Sequence, residues 1–276
     1  MKRERVAVLV MGAVALVALA GHRFAGDAPP EPVVVAEAAP LRVAAGTPEA
    51  VWALRAGAVE GASAADGPCA ISLEVFAEDA AMIGVTLLAP CRTGQRVVLH
   101  HGGLAVSMLT LATGSLFATL PAMDATGGVE ARFDDGETVR AAAAVPELAG
   151  LRRFAVQWQD ADRFALNGFE GGADYGDRGH RTALNGGVFA LGDPEAKPAL
   201  LAEVYTFPDP EAAHVSVEAE VVAATCGREL LGETLYSAGG AVRAADLTLA
   251  MPDCDATGGF VVLNNPLPDM TLAAAE

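Results

Sequence analysis

Hydrophobic and polar positions alternate with a period of two from residue 69 to residue 146. Ile71, Leu73 and Val75 alternate with Ser72 and Glu74, and Ile83, Val85 and Leu87 with Gly84 and Thr86. Further short runs cover residues 96–101, 104–111, 115–120, 129–133 and 138–145. Turn pairs separate them: Thr93-Gly94, Gly102-Gly103, Thr113-Gly114, Gly127-Gly128 and Asp135-Gly136. Strands spaced this closely, with a glycine turn between each pair, predict an antiparallel sandwich. Residues 140–145 are alanine-rich and suit a helix on propensity, but the preceding Asp-Gly turn favours a strand.

From Leu151 onward the chain again reads as strands. Residues 154–158 and 164–169 pair naturally across Asp160-Ala161-Asp162, and residues 200–207, 214–223, 247–251 and 260–263 follow. No window holds a 3.6-residue period. The fold class expected is therefore all-β, with two tandem antiparallel sandwich-like domains at residues 51–148 and 149–276. Residues 51–59 suit a short helix leading into the first.

The N-terminus differs in kind. Lys2, Arg3 and Arg5 precede residues 6–20, which carry no charged or polar side chain, and Ala18-Leu19-Ala20 offers small residues for cleavage. Residues 1–24 read as an export signal. Fifteen residues of helix span about 22 Å, short of a hydrocarbon core of about 30 Å, which favours cleavage. An uncleaved anchor that recruits Gly21 to Phe24 is the alternative, and both place Asp27 onward outside the cytoplasm. Residues 25–50 hold Pro29, Pro30, Pro32, Pro40 and Pro48, a density that suits an extended spacer.

Asp124-Ala125-Thr126-Gly127-Gly128 recurs as Asp255-Ala256-Thr257-Gly258-Gly259, each three residues after a proline. Leu109-Thr110-Leu111-Ala112 recurs as Leu247-Thr248-Leu249-Ala250, and Gly102-Gly103 as Gly239-Gly240. Two readings are open: a duplicated domain, or the same turn chemistry used twice.

Charge narrows the function. The chain carries 35 acids against 18 bases, a formal net charge of −17. Without residues 1–20 the count is 34 against 15, or −19. Such a body does not track a phosphate backbone, so nucleic acid is excluded as a partner. It is repelled by anionic headgroups, so membrane contact runs through the N-terminal segment alone.

Cys69, Cys91, Cys226 and Cys254 are even in number in a chain read as exported, which favours disulfides over metal. The local pairing, Cys69 with Cys91 and Cys226 with Cys254, keeps each bridge inside one domain. A hairpin of residues 71–75 and 83–87 sets the first pair side by side. The second partner depends on topology.

The motifs for nucleotide, hydrolase-elbow and zincin chemistry are missing from the sequence. His100 and His101 end a strand and point to opposite faces. The strongest place for chemistry is the glycine-rich loop that opens at Glu170 and closes at Asn185. It carries Asp174, Tyr175, Asp177, His180 and Arg181 among Gly171, Gly172, Gly176 and Gly179. Asp174, Asp177 and His180 offer oxygen and nitrogen ligands to a divalent ion, while the bland alternative is a solvated connection. No cofactor is expected.

The exported frame, the segment from Cys69 to Cys91, Arg96-Val97-Val98-Leu99-His100-His101 and Ala202-Glu203-Val204-Tyr205-Thr206-Phe207-Pro208 resemble a family of proteobacterial envelope proteins often labelled translocase. The resemblance covers most of the exported chain and implies a place in or near an export machine. Residues 110–121 also resemble the strand-turn-strand of transthyretin-like and carboxypeptidase-regulatory-like sandwiches, modules that are generally accessory.

The function expected is a non-catalytic exported envelope protein, periplasmic or tethered to the inner membrane, that binds or assembles with an envelope protein. The alternatives are a periplasmic metal-assisted hydrolase using residues 170–185, and an accessory subunit of an export machine.

Overall fold

Turn chemistry and alternation together set the strands. A computed structural model of the chain describes residues 34–35, 67, 69–160, 162–208 and 213–267. The signal or anchor at residues 1–24 and the expected helix at residues 51–59 lie outside these. So does the spacer, apart from strand β1 (Val34–Val35).

The first half builds β2 (Ser72–Glu78), β3 (Met82–Leu88), β4 (Arg96–His101), β5 (Leu104–Leu109), β6 (Ser115–Pro121), β7 (Gly128–Phe133) and β8 (Thr138–Ala142). They form two antiparallel sheets, ordered β2-β3-β6 and β5-β4-β7-β8. The inward residues of both sheets, such as Leu73, Val85, Leu99, Leu120 and Phe133, meet in one core.

After a 3-10 turn at Pro146–Gly150 the second half builds β9 (Arg152–Gln159), β10 (Ala165–Glu170), β11 (His180–Arg181), β12 (Val188–Leu191), β13 (Leu200–Thr206), β14 (Ala213–Glu220), β15 (Glu229–Ala238), β16 (Ala241–Ala250) and β17 (Phe260–Asn264). Their sheets run β12-β13-β9-β15-β16 and β1-β17-β14-β10-β11, antiparallel except for the β1–β17 pair. The chain is all-β, two sandwiches in tandem, with no α-helix among the described residues.

The sheet containing β9 is buried on both faces, and this joins the halves. Phe154 and Val156 point into the second sandwich, while Ala155, with Ala202, Val204 and Leu235 of neighbouring strands, packs into the core of the first. Three polar contacts fix the junction. Arg153, 1% exposed, donates from Nη1 to the Ala81 and Ala122 carbonyls (2.8 and 2.6 Å) and from Nη2 to Ala80 (2.7 Å). Ser107 Oγ accepts from the Leu200 N–H and donates to the Ala196 carbonyl. Ser237 Oγ donates to the Met123 carbonyl. Ala80 and Ala81 adopt φ of 59° and 55°, unusual for alanine, in the turn whose carbonyls face the guanidinium.

Both disulfides close the open end of a hairpin. Cys69 joins Cys91 in line with the β2–β3 register, in which Ser72 faces Leu88. Cys226 joins Cys254 beyond the β15–β16 pair, where Glu229 faces Ala250. Their Cα atoms are 5.1 and 5.0 Å apart, within disulfide range.

Several strands differ from the sequence expectation, β1 among them because it falls in the expected spacer. β11, β12 and β15 arise where no strand is expected, and β16 begins at Ala241 rather than residue 247. β15 lacks alternation because its sheet is covered on both sides: Leu230 and Leu235 are buried on opposite faces, and Ser237 is buried as well. The repeated sequence marks turns. Gly102-Gly103 and Gly239-Gly240 both take positive φ and join hairpins, as two-residue turns of the primed type require. The pairings beyond them differ: β7 adds to the sheet of its hairpin, whereas β17 joins the facing sheet.

Candidate functional site

The expected loop sits on the outer face of the sheet that carries β10. Gly171 and Gly172, at φ of 64° and 76°, turn the chain out of β10, and it returns as β11 with Phe169 facing His180 and Gly168 facing Arg181. On its other side Phe169 faces His214 of β14. Three rings on adjacent strands, about 4.8 Å apart by sheet geometry, therefore stack in a row. His180 lies 4.9 Å from Phe169 at 5° and His214 4.8 Å from it at 13°. Tyr175, carried on the loop, packs T-shaped against Phe169 and His180 at 5.0 and 5.2 Å.

Polar groups beneath this row are ordered by their donors. The Gly176 N–H donates to His180 Nδ1 (3.2 Å), so the neutral ring carries its proton on Nε2. Nε2 then donates to Asn167 Oδ1 at 2.8 Å. Tyr175 Oη donates to the Glu218 carboxylate and lies 3.4 Å from Ser216 Oγ. Burial, with Glu218 adding to it, pushes the Tyr175 phenol up to about 12, which makes it a donor and not a phenolate.

The inner face braces the loop from below. Arg181 donates from Nε and Nη2 to Glu170 Oε2 (2.9 and 2.8 Å), and Tyr205 Oη donates to Glu170 Oε1 at 3.2 Å. The Arg181 bond holds the Glu170 carboxyl below its usual range. Gly168 is required here, because a Cβ would drive into the Tyr205 ring. Beyond β11, Thr182 and Asn185 bond each other's backbone, and Leu184 is left fully exposed at 100%.

The structure brings Asp174, Asp177 and His180 into one loop, but as its internal braces. Asp177 Oδ2 accepts the Asp174 N–H at 2.9 Å, and both His180 nitrogens are in use. Among the described residues no three His, Cys, Asp or Glu side chains converge in a metal-ligand geometry. The histidine pair of β4 splits as its alternation requires. His101, 2% exposed, donates from Nδ1 to the Gly128 carbonyl and accepts the Met123 N–H at Nε2. His100 lies half-buried on the opposite face, across from Glu130.

Asn167, Phe169, His214, Ser216 and Glu218 belong to the site and were not singled out from sequence. The alternation of His214, Ser216 and Glu218 with Val215, Val217 and Ala219 carried their signal, but β14 meets β10 across 42 or more residues of intervening chain. What the arrangement offers chemically is an aromatic row, its central Phe169 buried and His214 and Tyr175 exposed, beside a carboxylate, a hydroxyl and an amide. No protein-family model matches the chain, and no curated protein matches its sequence at a significant level.

Proposed function

We propose that this chain is an exported envelope protein that works as a binding or assembly module, presenting the face built on residues 170–185. The observation that carries the reading is the Phe169–His180–His214 row with Tyr175 against its edge, mounted on two sandwiches locked together by Arg153, Ser107 and Ser237. Rigid scaffolds with exposed, aromatic-rich loops suit recognition, because little ordering entropy is lost on binding. Leu184, fully exposed in the turn that follows β11, adds an apolar contact of the kind partners cover. The basic n-region followed by residues 6–20 supports export, and two disulfides support an oxidising compartment. The periplasm, with residues 1–24 as the sole membrane contact, is the location this reading takes. A partner in the export machinery is what the family resemblance implies.

The test compares the wild-type chain with Tyr175→Ala/Leu184→Asp, both exported and both oxidised. After crosslinking in intact envelopes, the double variant loses the component that co-purifies with the wild type. Equal recovery contradicts the reading.

A further inference from the structure

One buried side chain on the outer face of β10 and β14 has incomplete bonding. Asn167 is 5% exposed, and its Nδ2 donates to no group among the described residues. The amide's orientation follows from its neighbours. A backbone N–H only donates, so His180 Nδ1 accepts from Gly176, Nε2 carries the proton, and Asn167 answers with Oδ1. Two N–H bonds are left over in a buried place, which native structures rarely tolerate without a reason.

Ser216 lies directly opposite Asn167 in the register, on the same face, and Glu218 follows two residues on. One atom contacts both: Tyr175 Oη donates to Glu218 and sits 3.4 Å from Ser216 Oγ. Tyr175 is itself 55% exposed and stands between Gly172 and Gly176, at φ of 76° and 82°, on a loop rich in such turns. The cap is thus a lone hydroxyl on a glycine-flanked arm, seated on a carboxylate beside a serine and an unused amide.

We infer that Asn167, Ser216 and Glu218 form a binding site for a neutral saccharide, and that Tyr175 is a displaceable cap occupying it in the free chain. This rests on the reading of the 170–185 face as a binding surface. One sugar hydroxyl replaces the phenol as donor to Glu218. Its vicinal neighbour accepts from Asn167 Nδ2 and Ser216 Oγ. The exposed His214 ring, backed by the buried Phe169, meets the C–H groups of the sugar. Glu218 disfavours an anion, and the amide and serine donors disfavour a simple cation.

Closure of the cap lowers the apparent affinity by the fraction of open molecules. Tyr175→Phe removes the bond to Glu218 while keeping the ring. The experiment titrates maltose and chitobiose into the oxidised wild type and Tyr175→Phe, following the Asn167 side-chain amide by NMR. The expected result is a saturable shift of that amide, with Tyr175→Phe binding about tenfold tighter than wild type. In the Tyr175→Phe background, Glu218→Gln and Ser216→Ala each weaken binding about tenfold or more, with near-UV circular dichroism unchanged. The absence of any saturable shift in Tyr175→Phe, or weaker binding than in wild type, overturns the inference. If both sugars fail while an envelope component still crosslinks through residues 170–185, the saccharide assignment falls and the binding reading stands. If sugars bind at Asn167 and no component crosslinks, the saccharide site stands and the partner reading falls.

Discussion

Arg153 Nη1 donates to the Ala122 carbonyl at 2.6 Å, across the junction between the two halves of the chain. The guanidinium is buried with carbonyls, a hydroxyl and a thioether around it and, among the described residues, no carboxylate bonded to it, and burial lowers its pKa to about 10. It stays charged because charge-assisted bonds to Ala80, Ala81 and Ala122 replace its water. Arg153→Ala strands those carbonyls and opens a cavity. We expect a loss on the order of 3 kcal/mol or more. Arg153→Lys recovers only part of it, since an ammonium lacks the planar fork. Chemical denaturation checks both, and a change under 1 kcal/mol in Arg153→Ala, about the size of a surface substitution, contradicts the clamp.

His101 makes the first half acid-sensitive. Burial holds its imidazole below the ordinary range, and Nε2 is already accepting the Met123 N–H. The unfolded chain therefore binds a proton that the folded chain refuses. The resulting stability is complete above about pH 6.5 and is lost as pH falls from there toward the folded-state value. The slope contributed is at most about 1.4 kcal/mol per pH unit. His100, also lowered by burial, adds in the same direction. His101→Gln is expected to be less stable at neutral pH but to show a flatter acid limb in urea titrations. An unchanged limb contradicts the assignment.

The bridge between Cys226 and Cys254 closes 28 residues at the open end of β15 and β16. Replacing both with serine is expected to cost about 3–4 kcal/mol on the chain-entropy model. Hydrogen exchange should rise first near Glu229 and Ala250, which lie next to the bridge. A non-reducing peptide map provides the independent check. A peptide joining Cys69 or Cys91 to Cys226 or Cys254 contradicts the topology.

Alternation made β2, β3 and the Cys69–Cys91 hairpin readable, because Leu73, Ile83, Val85 and Leu87 are buried on one face while Glu74, Phe76 and Leu88 on the other are exposed. β15 was not readable, because both its faces are partly covered and the period-two signal cancels. Arg153 lies just before the run 154–158, and nothing local marks it as buried. Its burial depends on carbonyls 31 and 72 residues away, which no local window contains. The loop at residues 170–185 announced itself through its glycines. Its chemistry did not, because Asn167, Phe169 and Ser216 read as ordinary strand residues until β14 is placed beside β10. His180 looked free to bind a metal, since nothing in the sequence tells that the Gly176 N–H takes its Nδ1.

The proposed binding face is tested most directly by crosslinking from single positions on it. A photoreactive residue placed singly at Tyr175, Leu184 or His214 samples the proposed face, and one at Arg132 or Arg243 samples exposed positions on other sheets. Irradiation of intact envelopes should give discrete adducts from the first three positions, reduced in the Tyr175→Ala background for the other two, and none from Arg132 or Arg243. Adducts from Arg132 or Arg243 with none from Tyr175, Leu184 and His214 would contradict the assignment of residues 170–185 as the binding face.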